Sequence, residues 1–229
     1  MSIKIENVDI HGWEAAIRGA RNPMNSWEKS DSLWFDGEEY HDICGNSGPA
    51  PKESNGTGFD VGYSDYKLLM NLCKGGSEES KWRRFVHVSM DIIAPLYWWK
   101  EFETYKVGVS CNSCSTMHKI QAKEFTLEDF SCEHLNNFES DEGLGTIIDI
   151  LNTNREKFLE TKDKKYWWQM IQSLPSSYNQ RRTIDLNYEV LAKQYRERKS
   201  HKLDEWREYC EWIKSLPYSE LITLEENNG

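Results

Sequence analysis

The stretch RRFVHVSMDIIAPLYWWKEFETYKVGVSCNSCSTMHKI, residues 83–120, constrains the fold more than any other part of the chain. It opens on an apolar, mostly β-branched run, Phe85, Val86, Val88, Ile92 and Ile93, which predicts a buried strand bounded by Pro95. LYWWKEFETYK follows, and its aromatic rings alternate with Lys100, Glu101, Thr104, Tyr105 and Lys106, which predicts a helix with a polar-aromatic face. The stretch closes in a loop of small hydroxyl and thiol side chains, Ser110 to Thr116, and then His118. Strand, polar-aromatic helix and small-residue loop in succession are a common way to build a ligand site. An amphipathic core element is the alternative. The close packing of Lys, Glu, Tyr and Asn against tryptophan favours the site, because such groups are seldom buried without partners.

At 229 residues the chain has ample area for a core, and residues 1–229 read as one domain with a Gly-rich loop at 35–65 and a mostly helical half at 144–216. A net charge of −10 disfavours long nucleic acid over the surface as a whole, while a local basic pocket for a small anion stays open. No apolar run approaches the roughly 20 residues that span a bilayer, so no membrane partner is expected. MSIKIENVDIHGW lacks the basic and apolar regions of a signal peptide, and six cysteines in a chain of this size do not suggest a disulfide scaffold. A cytoplasmic protein is expected.

In chain order, Ile3, Ile5, Val8 and Ile10 predict a short strand leading to a helix around Trp13–Arg18. GARNPMNSWEKSDS is turn-rich. Six glycines with Pro49 and Pro51 make residues 35–65 either a lid over a ligand or a solvated insertion. Ser64 and Asp65 can cap a helix through Tyr66, Leu69, Met70 and Leu72 that Gly75-Gly76 would end. Thr126 and Asp129 form a capping-box pattern, and helices are expected at 144–160, over KKYWWQMIQSL, at Thr183–Arg198 and at Leu203–Leu216.

Cys111-x-x-Cys114 with Cys132 and His134 has the outline of a zinc site, but the two-residue step from Cys132 to His134 fits it poorly. The cysteines read better as small loop-shaping side chains, and no metal ligands are assigned. Arg181, Arg182, Arg196, Arg198, Lys199, His201 and Lys202 are a basic cluster in an acidic chain, either a phosphate site or a solvated helix end. His41, His87 and His118 can each serve as acid or base, and no spacing singles one out. Phosphate-cradling glycine loops of the dinucleotide and P-loop kinds are absent.

Two stretches, APLYWWKEFETYKVGVSCNSCSTMH and LPSSYNQRRTIDLNYEVLAKQYRERKSHKLDEW, resemble the signature and C-terminal helical regions of the flavin-dependent thymidylate synthases (ThyX-like proteins), over roughly residues 66–214. Counted from Pro95, the family's Arg-His-Arg triplet falls on Thr104, Tyr105 and Lys106. With one inserted residue, its Asn-Glu-x-Ser-x-Arg-Tyr run falls on Asn112, Ser113, Ser115, Met117 and His118. Leu174-Pro175, Asn187, Leu191 and Arg198 fall in register without a gap. The resemblance places Asn187 and Ser80 on a flavin (FAD) and Arg198 on a nucleotide. It implies an α/β (α+β) fold, an antiparallel sheet flanked by helices, and a homotetramer whose sites lie between subunits.

Thr104 and Met117 stand where that family has arginines on the flavin and the deoxyuridylate phosphate, Ile171 or a neighbour replaces a third, and Ser113 replaces a glutamate. A buried phosphate loses about 1.5–3 kcal/mol with each charged hydrogen bond removed, so ordinary uridylate methylation is not expected. Lys106 and Arg198 remain, with Arg21 or Arg181 as substitutes. The expectation is a protein that binds a nucleotide or nucleotide-derived small ligand, a sequestering or sensing protein of viral or mobile-element type. Tyr105, Trp98 or Trp99 would stack on the base, and Lys100, Glu101, Thr104, Asn112, Ser113, Ser115 and His118 would line the pocket, with Lys106 and Arg198 on the anion. The alternative is a flavin-dependent transferase or methyltransferase acting on a uridylate-like nucleotide.

Overall fold

The computed structural model describes residues 3–36, 57–135 and 143–224. The chain begins with β1 (Lys4–His11) and α1 (Trp13–Arg21) and continues through β2 (Leu33–Asp36), β3 (Thr57–Asp60) and α2 (Tyr63–Lys74). The central stretch forms β4 (His87–Pro95), α3 (Leu96–Phe102) and β5 (Val109–Ser113). Next come α4 (Gly145–Thr161), α5 (Lys164–Ser173), β6 (Asn179–Asn187), α6 (Tyr188–Arg198), α7 (Asp204–Lys214) and α8 (Glu220–Thr223). Four strands make one sheet in the order β1-β4-β6-β5, and β2 pairs with β3 in a two-stranded ribbon.

The sheet is antiparallel. Leu96 N bonds Tyr178 O and Tyr188 N bonds Val86 O, which places β4 and β6 head to tail in constant register. Asn7 reaches Asp91 while Gly12 lies against Phe85 O, so β1 runs against β4 in the same way. Gly12 has φ 95°, and a Cβ there would collide with that carbonyl, so the turn from β1 into α1 requires glycine. Helices and an antiparallel sheet together give the α+β architecture that the sequence predicts.

Contacts divide the chain into two compact units. The first comprises Met1–Lys4, Ile92–Thr104 and Asn112–Thr183, and the second Ile5–Asp91, Tyr105–Cys111 and Ile184–Gly229. Each is assembled from three stretches, so neither can be cut out as a continuous segment. In the first, α4 and α5 lay Ile148, Leu151 and Met170 against Ile120, Phe125 and Phe130. In the second, Trp13 meets Tyr188 and Tyr218 edge-on at 5.2 and 5.0 Å, and Tyr188 donates its hydroxyl to Pro217 O at 2.7 Å. Burying each such ring contributes about 1.5–3 kcal/mol.

Several sequence readings need correction. The stretch Thr183–Asn187 is strand, and the helix begins only after Asn187, whose Oδ1 accepts Val190 N at 3.1 Å as the cap. Neither Ser64 nor Asp65 caps α2, which starts at Tyr63. Asp31 takes the cap role from a distant loop, its carboxylate accepting Ser64 N at 2.8 Å and Asp65 N at 3.1 Å. The small-residue loop begins as β5, which runs to Ser113. The Thr126/Asp129 capping box is present but opens only a 3-10 turn, Leu127–Asp129. The ends of the Gly-rich stretch pair as strands, with Leu33 opposite Asp60 and Asp36 opposite Thr57. The lid or insertion itself, and His41, lie outside the described residues.

Candidate functional site

In the first unit, α3 directs Trp98, Trp99 and Phe102 inward, and both tryptophans are 0% exposed. Neither can stack on a base in this arrangement, which corrects the sequence expectation. Trp99 Nε1 donates to Gln180 O at 3.0 Å, and the Arg182 guanidinium lies 4.4 Å over the Trp99 ring. Arg182 also donates to Glu103 at 2.6 Å and to Gln180 Oε1 at 3.0 Å, while Gln180 Nε2 donates to Cys114 O at 2.7 Å. This chain of bonds fixes the turn that follows β5 from beneath. Cys114 N bonds Arg181 O at 2.9 Å, and Trp167 Nε1 bonds Met117 O at 3.0 Å, holding the turn at two more points.

On that anchored turn, Ser115 Oγ accepts Met117 N at 3.2 Å and His118 N at 3.0 Å. Asn112, Ser113, Ser115 and His118 are all exposed, so the signature segment presents donors and acceptors to solvent from a bonded frame. Thr104 is exposed and donates its hydroxyl to Glu101 O at 2.7 Å. Lys100 is exposed on α3, and Glu101 is half-buried beside it.

In the second unit, Tyr105 and Arg198 do come together. Arg198 Nε donates to Tyr105 Oη at 2.9 Å, and that hydroxyl donates to Glu197 at 2.8 Å. The guanidinium lies 5.5 Å over the Tyr105 ring and 4.8 Å over that of Trp206. Burial, with the Glu197 carboxylate beside it, pushes the Tyr105 hydroxyl up to about 12 against the opposing pull of Arg198. Tyr105 is thus a buried clamp on Arg198, with its ring covered, and not a stacking platform. Lys106 is exposed.

The two positions assigned to a flavin behave differently. Ser80 is 0% exposed and donates its hydroxyl to Leu72 O at 3.1 Å, so it does not fit a cofactor contact. Asn187 uses Oδ1 as the α6 cap and keeps its amide Nδ2 as a donor beside Gly108. The fit to a flavin rests on Asn187 alone. Arg21 is not a substitute phosphate ligand either: it is 4% exposed and paired with Asp65 at 2.5 Å. Arg181, on β6, keeps that candidacy.

One grouping went unseen in the sequence. Among the described residues, the set with metal-ligand spacing is His11, His87 and Asp185, on β1, β4 and β6. The strand β4 alternates buried Val88, Met90, Ile92 and Ala94 with half-buried His87, Ser89, Asp91 and Ile93. It is therefore a one-face-buried strand, not the fully buried one expected, and its polar positions carry this second constellation. Cys111 and Cys114 are exposed, and Cys132 is half-buried.

No protein-family model matches the chain, and no curated protein matches it in sequence. Solved structures do. Two crystal structures of the flavin-dependent thymidylate synthase ThyX of Helicobacter pylori, each with FAD and dUMP, superpose at a TM-score of 0.62 over 98% of this chain and 98% of that chain. The sequences are 15% identical, so the likeness is one of fold.

Proposed function

We propose that this chain, which has the fold of the flavin-dependent thymidylate synthase ThyX, binds a nucleotide or nucleotide-derived ligand without making thymidylate. The carrying observation is the end of β5 and the anchored turn after it, where Asn112, Ser113, Ser115 and His118 stand exposed on a frame bonded from several sides. A preorganised polar turn reads a base edge at small entropic cost. Lys100, in the same unit as that turn, is an exposed cation for the phosphate. Thr104 and Met117 supply no charge to a phosphate, which argues against ordinary uridylate methylation. The role that follows is sequestering or sensing a nucleotide, as suits a virus or mobile element, in a cytoplasmic homotetramer.

The second reading is a flavin-dependent transferase on a uridylate-like nucleotide. It draws support from the FAD and dUMP held by the H. pylori enzyme and from the available Asn187 amide. A bound flavin would supply the hydride chemistry, while this chain's side chains would orient the substrate and screen its charge.

The test is an absorption spectrum of the freshly purified protein with mass spectrometry of what denaturation releases, followed by calorimetry with dUMP, dTMP, UMP and FAD. A colourless protein that binds a nucleotide supports the first reading, and flavin absorbance supports the second. No binding to any member of the panel overturns both.

A further inference from the structure

We propose that His11, His87 and Asp185 form a site for one divalent transition-metal ion, zinc or ferrous iron in class. The inference does not depend on the nucleotide reading. It rests on three side chains of the second unit, delivered by three adjacent strands to the same face of the sheet.

Antiparallel register does the positioning. His11 lies on β1 beside His87 on β4, and the two imidazoles stack with centroids 5.6 Å apart and planes 15° from parallel. Asp185, on β6, lies opposite Ser89 and diagonal to His87. Its Oδ1 is 3.0 Å from His87 Nδ1, and its Oδ2 accepts Ser89 Oγ at 2.7 Å. The three ligand atoms lie within 4.8 Å of one another. Bonds of about 2.0–2.2 Å to nitrogen and oxygen in a tetrahedron set ligand atoms about 3.4 Å apart. The His87–Asp185 edge is already near that length, and rotation of the His11 ring closes the third corner.

The donor set selects the ion. Two imidazoles and one carboxylate suit zinc or ferrous iron, whereas magnesium and calcium prefer all-oxygen shells. Ser89 acts as a positioning residue, since its bond to Oδ2 turns Oδ1 toward His87. Asp9 Oδ2 lies 3.7 Å from His11 Nδ1, beyond hydrogen-bond distance. The side chains of His87 and Asp185 are each 37% exposed and that of His11 44%. Three protein ligands at a half-open surface leave a coordination position for water or a ligand oxygen, the pattern of reactive sites and not of closed structural ones.

The experiment is calorimetric titration of the untagged full chain with Zn²⁺, Co²⁺ and Mg²⁺, repeated on H11Q, H87Q, D185N and S89A. The expected result is one Zn²⁺ or Co²⁺ per chain and no Mg²⁺ binding. Affinity should fall at least tenfold in each of the three ligand variants and by a smaller factor in S89A. A C111S/C114S variant should bind as the parent does, which separates this site from the cysteines. The Co²⁺ spectrum should show ligand-field bands without thiolate charge transfer. Urea titration of each variant checks that it is folded. A thiolate band, loss of binding in C111S/C114S, or unchanged affinity in folded H11Q and H87Q would each overturn the proposal.

Discussion

Replacing Arg21 with methionine should destabilise the protein while leaving ligand affinity of the folded fraction unchanged. Arg21 and Asp65 are 4% and 0% exposed, and their side chains carry opposite charges 2.5 Å apart. Arg21 also donates to Ser26 O at 3.2 Å, Lys29 O at 2.9 Å and Ser64 Oγ at 2.9 Å. Asp65 accepts Ser30 Oγ at 2.7 Å and Ser32 Oγ at 2.6 Å, together with the backbone N–H groups of Asp31 and Ser32. The pair therefore ties the turn-rich segment after α1 to the start of α2. Removing one partner of a buried ion pair costs about 3–5 kcal/mol, because the other charge is left without compensation. Four donors remain around Asp65 in R21M, so the lower end, about 3 kcal/mol, is expected. D65A strands the guanidinium and should reach the upper end.

Urea denaturation reads both, with the midpoint falling at unchanged m-value. The pH dependence provides a second check. Burial pushes the Asp65 carboxyl upward, but bonds from Ser32, Ser30 and Arg21 outweigh it and hold the group below the usual carboxylate range. A depressed folded value means that the contribution is present above about pH 4 and is lost as pH falls through the folded value. The gap between parent and D65A should hold from neutral pH down to about 4 and shrink below it. A stability loss in R21M under about 0.5 kcal/mol, or a loss of nucleotide affinity at parental stability, would refute the structural assignment and return Arg21 to the ligand site.

Y105F should cost about 1 kcal/mol by removing the hydroxyl shared by Glu197 and Arg198. It should also remove from an ultraviolet titration the tyrosine expected at about 12, whose stabilising contribution is complete below about pH 10 and lost as pH rises through the folded value. N187A removes the α6 cap and should lose about 1 kcal/mol by thermal or urea denaturation. N187D keeps the acceptor and should recover most of that loss while discarding the amide donor, so a flavin affinity that falls in both N187A and N187D, although stability recovers in the second, would mark Nδ2 as a cofactor contact. Peptide mapping after brief alkylation should find Cys111 and Cys114 modified ahead of Cys73 and Cys210, which are buried and whose thiols burial pushes up, Cys210 to about 11.

What could be read in the chain, and what could not, follows from the range of the interactions. The strand ending at Pro95, the helix through Trp98 and Trp99, the glycine stop after α2 and the α4 periodicity are local, and each appears where the residues predict it. Thr183–Asn187 continues into helix without a break in composition, and its pairing within the sheet keeps it extended, which is why the α6 start is not legible in the sequence. Arg21 looked like a candidate phosphate ligand because its partner stands 44 positions away, and no periodicity announces a buried pair. Trp99 looked like a stacking platform for a related reason: its polar neighbours, Lys100 and Glu103, suggest an exposed face, yet Arg182 and Gln180 arrive from β6 to cover it.

The polar constellation on the sheet was the most nearly legible of the missed features. HVSMDIIAP carries His87, Ser89 and Asp91 at alternating positions, the period of a strand with two unlike faces. Reading the β-branched residues of that segment alone gives a buried strand and hides the second face. The alternation as a whole calls for polar groups on a flanking strand opposite His87 and Ser89, since a polar row on a sheet is matched by cross-strand partners. Asp185 in IDLN and His11 in VDIH meet that requirement, each at one of two polar positions that alternate with apolar residues in its strand segment. The periodicity thus demands partners without naming them, and the register β1-β4-β6 selects which ones arrive.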